Sequence, residues 1–189
     1  MWKNIRNLFK KDKEKEKEKK NIKIITEGGT AVGKSWLIKK YLNKELTVTY
    51  GLREYFEIDK KITINNREID ITLKIFDNAG NEHCFSSETL MINLSDGVLL
   101  VYDITDKNSF EVVSKFLTLI RQLKPQNFPI VLIGNKIDLE SKRQIQNEIA
   151  QNFATENNIR FFEVSSLTGE NVKDAVDYLI NAAYNNSNN

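Results

Sequence analysis

The stretch GGTAVGKS, Gly28 to Ser35, constrains this chain more than any other. It fits the spacing G-x-x-x-x-G-K-[ST]. It follows the apolar positions Ile22, Ile24 and Ile25 and opens a segment of helical pattern from Lys34 to Tyr41. Strand, glycine loop and helix start, in that order, wrap backbone N–H groups around an anion. The helix N-terminus adds positive potential. Lys34 can then reach the outer phosphates of a nucleotide, and the Ser35 hydroxyl can ligate Mg²⁺. The ordinary alternative is a glycine turn with a surface lysine, and the strand-to-helix context argues against it. Glu27, an acid at the end of a buried strand beside that loop, is unfavourable unless it points out or pairs.

Strand and helix signals alternate over the rest of the chain. "REYFEIDKKITI" and "REIDITLKIFD" flank Asn65-Asn66 and read as an antiparallel hairpin. "GVLLVYD" and "IVLIGNK" read as buried parallel strands, and "RFFEVSS" as a further one. Helices are predicted near 108–123, 141–157 and 171–183. The pattern predicts an α/β three-layer sandwich with a mainly parallel sheet and one antiparallel edge. With 189 residues, of which 40% are hydrophobic, one domain with a normal core is expected. That domain spans 21–183, between an N-terminal segment 1–20 and a polar tail 184–189.

"GNKID", Gly134 to Asp138, follows the strand "IVLI". A carboxylate at Asp138 can accept from the ring N1–H and the exocyclic amine of guanine, a pattern adenine does not present. A site built around such an acceptor rejects the wrong base. Asn135 would brace the loop, and the Lys136 stem would cover the ring. "EVSSLTGEN" places Ser165, Ser166 and Leu167 at the end of the next strand. That loop can offer backbone N–H groups to a base carbonyl, or serve simply as a Ser/Thr-rich turn.

Together "GGTAVGKS", "DNAG", "NKID" and "SSLTGENV" resemble the Ras superfamily of small GTPases, and "SDGVLLVYDITDKNSFE" resembles its Rab branch most. The resemblance covers about residues 21–183. It implies a six-stranded sheet with five helices (the small G-domain) and GTP or GDP with Mg²⁺ as ligands. It implies nucleotide contacts from Thr30, Ala31, Val32, Gly33, Lys34, Ser35, Trp36, Thr49, Gly80, Asn135, Lys136, Asp138, Ser165, Ser166 and Leu167. Ser35, Thr49 and Asp77 would serve the metal. Lys34, Thr49, Gly80 and Asn81 would serve hydrolysis. An exchange factor, a GTPase-activating protein and effectors are the implied partners of a monomer. Thr47 is a second candidate for the switch threonine.

The chain departs from the family in places that bear on mechanism. Asn81 stands where a glutamine usually positions the attacking water. Its amide reaches roughly 1.5 Å less far, by one methylene. A loss on the order of 10–100-fold in hydrolysis is expected. Slow hydrolysis, or a GTP-binding scaffold with negligible turnover, are the two readings this leaves. Between Tyr41 and Tyr50 there is no aromatic to lean on the base, so faster nucleotide exchange is expected. Leu46 could substitute only by contact. Glu54 falls where Rab proteins have an effector-surface aromatic, although a shifted register could put Tyr55 or Phe56 there. Leu167 replaces a basic residue, which weakens packing on the base. His83 and Cys84 are too few for a metal site.

Charge is unevenly spread. Of 28 basic and 26 acidic residues, nine and four lie in residues 1–20, so that segment carries +5 and the remainder −3. A mildly acidic domain argues against nucleic-acid binding. A lone cysteine, Cys84, suits a reducing, cytoplasmic setting. The C-terminus "AAYNNSNN" has no cysteine to prenylate, and Trp2 rather than glycine rules out myristoylation. Residues 1–11 place Trp2, Ile5, Leu8 and Phe9 on one helical face against Lys and Arg. That face suits weak peripheral contact with an anionic membrane; a disordered basic tail is the alternative.

Overall fold

The structure is a computed structural model that describes residues 20–44, 54–64, 66–77 and 85–187, with only the backbone of 85–87. Its elements are β1 (Lys20–Gly28), α1 (Lys34–Tyr41), β2 (Glu54–Ile64), β3 (Arg67–Asp77), α2 (Phe85–Leu94), β4 (Gly97–Asp103), α3 (Lys107–Leu123), β5 (Ile130–Asn135), a 3-10 turn (Ile137–Lys142), α4 (Asn147–Glu156), β6 (Arg160–Val164) and α5 (Val172–Asn186). The six strands form one sheet in the order β2-β3-β1-β4-β5-β6. All neighbours are parallel except the β2–β3 hairpin. The predicted three-layer sandwich and its antiparallel edge are therefore present.

Burial on both faces explains the continuous apolar strands. All seven residues of β4 and all six of β5 are buried. On one face Ile22, Ile24, Leu73, Ile75, Leu99 and Val101 pack with α1 and α5. On the other, Ile25, Val98, Leu100 and Leu132 pack under α2, α3 and α4. β2 lies at the edge and alternates, with Phe56 and Ile62 buried and Tyr55, Glu57 and Asp59 exposed. Asp106 caps α3 by accepting from the Asn108 N–H at 2.9 Å. The helix stops at Lys124, held extended before Pro125.

Three elements differ from expectation. The helix expected at 141–157 begins only at Asn147. The amides of Gln144 and Ile145 donate instead to Ile104 O, at 2.8 and 3.0 Å, which takes them out of a helical ladder. Ile145 is buried in the core by that detour. The last helix continues to Asn186, three residues past its expected end. No periodicity marked α2, because Leu90, Met91, Ile92 and Leu94 lie around its circumference. Ile92 is buried while Leu90 and Leu94 are more than half exposed.

Candidate functional site

The site forms where β1, β3, β4, β5 and β6 end on one edge of the sheet. β1 ends at Gly28 (φ 140°), where a Cβ would stand 2.1 Å from Val101 O. Only glycine lets the chain turn there. Gly33 (φ 95°) then precedes α1, and a Cβ there would meet Asn135 Nδ2 at 2.2 Å. Between them Thr30 and Ala31 are exposed and Val32 is buried. Lys34 is buried, and its Nζ donates to Gly28 O (3.0 Å) and Gly29 O (2.6 Å). Burial pushes the Lys34 ammonium pKa down. The charges of Asp77, Glu27 and Glu88 oppose that push. Ser35 and Trp36, half-buried, complete the first turn.

Glu27 is therefore placed inside the molecule, not outward: it is 1% exposed. It has an interaction partner, as does the buried Glu88 of α2. The expectation that such an acid must point out or pair is met by the second route.

Asp77 ends β3 and is buried. Thr26 Oγ1 of β1 donates to its Oδ1 at 2.9 Å. Its Oδ2 is buried with no hydrogen-bond partner among the described residues. Burial pushes the carboxyl pKa up, against the nearby Ser35 hydroxyl, the Thr26 hydrogen bond and the charge of Lys34. An orphaned carboxylate oxygen beside a helix-start hydroxyl fits a hard cation. Mg²⁺ takes oxygen ligands, keeps several of its waters, and needs only one or two protein groups.

The base loop is tied to the phosphate loop. Asn135, fully buried, donates from Nδ2 to Val32 O (2.8 Å) and to Ser166 Oγ (3.0 Å). Its Oδ1 accepts from the Ser166 N–H at 3.0 Å. Lys136 takes φ 71°, and its Nζ donates to Ala31 O at 3.0 Å. It also pairs with Asp103 Oδ2 at 2.5 Å. Asp103 in turn accepts from the N–H and hydroxyl of Thr105. Asp138 is exposed and accepts from Ser165 Oγ. Leu167, two residues after Ser165, is 51% exposed. The three loops predicted to hold a nucleotide thus converge through direct bonds.

Glu54 is half-buried. It faces the interior and pairs with the buried Lys39 of α1 at 3.0 Å. Tyr55 instead stands across from Phe76 in the β2–β3 ladder, with ring centroids 4.9 Å apart. Of the two aromatics that follow Glu54, Tyr55 is 49% exposed and Phe56 is buried. Composition alone offered no signal for Thr26, Lys39 or Arg143, because their roles depend on cross-strand and cross-layer neighbours. Thr47, Thr49, Gly80, Asn81, His83, Cys84, Leu46 and the segment 1–11 lie outside the described residues. No helix among the described residues is long and apolar enough to cross a membrane.

The family model described as Ras family matches residues 23–185. The chain is 37% identical over 153 residues to Ras-related protein Rab-4A of Homo sapiens, covering 81% of this chain and 70% of that protein. It is 35% identical over 158 residues to Ras-related protein Rab-13 of Rattus norvegicus, covering 83% and 77%. It is also 31% identical over 158 residues to EF-hand calcium-binding domain-containing protein 4B of Homo sapiens. There it spans 83% of this chain but only 21% of that longer protein.

Proposed function

Because this chain belongs to the Ras family of small GTPases and is similar to its Rab members, we propose that it is a GTP/GDP-dependent switch that hydrolyses GTP slowly. The observation that carries the reading is the joining of phosphate and base loops by Asn135, together with a buried Asp77 oxygen that has no hydrogen-bond partner among the described residues.

In this reading the backbone N–H groups of Thr30 to Trp36 cradle the phosphates. Lys34 exchanges its carbonyl partners Gly28 O and Gly29 O for phosphate oxygens. Asp138 accepts from guanine, with Asn135 and Ser165 fixing the loop. Ser166 exchanges its N–H bond to Asn135 Oδ1 for one to the base carbonyl, and Lys136 and Leu167 cover the ring. Mg²⁺, when bound, supplies charge neutralisation at the β- and γ-phosphates. Ser35 would hold it directly with Thr49, and Asp77 through water. Gly80 would sense the γ-phosphate, and Asn81 would orient water less well than a glutamine.

Single-turnover GTP hydrolysis tests the proposal. Wild type should turn over slowly, Asn81→Gln about 10–100-fold faster, and Lys34→Ala should bind neither nucleotide tightly. Equal rates for wild type and Asn81→Gln would remove the role given to Asn81. The second reading, a GTP-binding scaffold with no useful turnover, draws on the same Asn81. It predicts no hydrolysis in the wild type and GTP retained after purification.

The partners proposed are an exchange factor, an activating protein and effectors. Tyr55, Phe76 and the exposed Leu90 and Leu94 of α2 are the apolar surface proposed to meet them. Weak membrane contact through residues 1–11 is proposed as well. Flotation with anionic vesicles, wild type against Trp2→Ala/Phe9→Ala, tests it.

A further inference from the structure

We propose that Thr26 is a positioning residue for the divalent cation: its hydroxyl holds Oδ1 of Asp77 so that Oδ2 is the oxygen presented to the metal's water. The inference rests on the reading of the site as a Mg²⁺–guanine nucleotide site.

Thr26 is fully buried in β1 and stands in register with Asp77 across the parallel β1–β3 pair. The preceding positions on the same face of the strand are Ile22 and Ile24, both fully buried in the core. A valine would fill nearly the volume of Thr26 and need no polar partner. A hydroxyl in such a place costs free energy unless it is bonded. Here it donates to a carboxylate at 2.9 Å, a charge-assisted contact of the stronger kind.

The consequence lies in the orientation of the carboxylate. The χ2 torsion of an aspartate is broad and roughly two-fold, so an unheld carboxylate presents either oxygen over a range of angles. With Oδ1 engaged by Thr26, the torsion is fixed and Oδ2 is left without a partner among the described residues. Burial of that oxygen makes ligation by an ordered metal water more favourable than solvation. Groups that orient a metal-site carboxylate from behind typically affect metal affinity by about 10–100-fold.

The test measures release of a fluorescent GDP analogue from the full chain across free Mg²⁺, from chelator to millimolar. Wild type, Thr26→Val and Thr26→Ser are compared. Release in chelator should agree within about two-fold among the three, since no metal is then held. The Mg²⁺ concentration that half-suppresses release should rise about 10-fold in Thr26→Val. It should return to the wild-type value in Thr26→Ser, which keeps the hydroxyl. A Thr26→Val midpoint equal to wild type would overturn the inference while leaving the nucleotide site intact. A Thr26→Ser midpoint as weak as that of Thr26→Val would also overturn it, because packing would then be the cause. If Thr26→Val does not fold, Thr26→Ala carries the same comparison. Failure of the wild type to bind the GDP analogue would overturn the functional reading and this inference together.

Discussion

Asn135 Nδ2 lies 2.8 Å from Val32 O, so one buried side chain fastens the base loop to the phosphate loop. Its other bonds, to the Ser166 hydroxyl and N–H, bring the third loop into the same junction.

Asn135→Ala removes all three bonds and strands buried groups on two loops. Each stranded group costs about 1–3 kcal/mol. GDP release should accelerate by at least about 30-fold, read with a fluorescent analogue. Gly33→Ala should do comparable harm from the other side. Its Cβ would meet Asn135 Nδ2 in a backbone region that only glycine occupies freely.

Arg143 holds Glu140 and Glu163 together, with Nη1 at 2.6 Å from Glu163 Oε1 and Nη2 at 2.7 Å from Glu140 Oε2. These hydrogen bonds, despite partial burial, raise the guanidinium pKa. Arg143→Leu should leave Glu163 half-buried without its cation and cost about 2–3 kcal/mol. Denaturant unfolding should show it as an earlier midpoint. Glu163→Gln in the same background should recover part of the loss.

The Lys39–Glu54 pair ties α1 to the start of β2 and so brackets residues 45–53. Lys39 is buried and Glu54 partly so. Lys39→Met should therefore cost more than the ~1 kcal/mol of an exposed pair and less than the ~3 kcal/mol of a fully buried one. Thermal unfolding of single and double variants, with Glu54→Leu as the partner change, measures the coupling. Zero coupling would mean that the two side chains stabilise independently.

Asp177 joins α5 to α1 and β2, accepting from Tyr41, Lys60 and Lys173. Burial opposes its ionisation, yet the hydrogen bonds from Lys173, Lys60 and Tyr41 outweigh it, so its pKa lies below the usual range. A depressed folded pKa gives stability that is present above the unfolded value near 3.9. That stability is lost as pH falls through the folded pKa. Asp177→Asn should cost about 1 kcal/mol at pH 7, a half-buried cluster being partly screened. The deficit should shrink toward zero as pH falls below the unfolded value and through the lower folded pKa. A pH-independent deficit would assign the effect to packing.

Much of this was legible in the chain itself. GGTAVGKS, NKID and SSLTGEN are contiguous, and their backbone geometry is dictated locally by glycine, helix start and strand end. The hairpin strands and the buried β4 and β5 followed from apolar spacing. α2 was not legible, because its apolar residues serve two faces at once. The start of α4 was missed because Ile104 O, some forty residues away, takes the amides of Gln144 and Ile145. The position of Glu54 could only be left open, since a one-residue shift turns a side chain to the opposite face.

The sequence by itself determined the order of elements, the phosphate and base loops, and the residue types each could bring to a ligand. Those depend on neighbours along the chain. Tertiary structure decided which side chains hold the loops in place: Thr26 behind Asp77, Lys39 against Glu54, Asn135 on Val32. Each partner lies on a different strand, helix or loop, and only the stacking of layers sets whether the two atoms meet within hydrogen-bond distance.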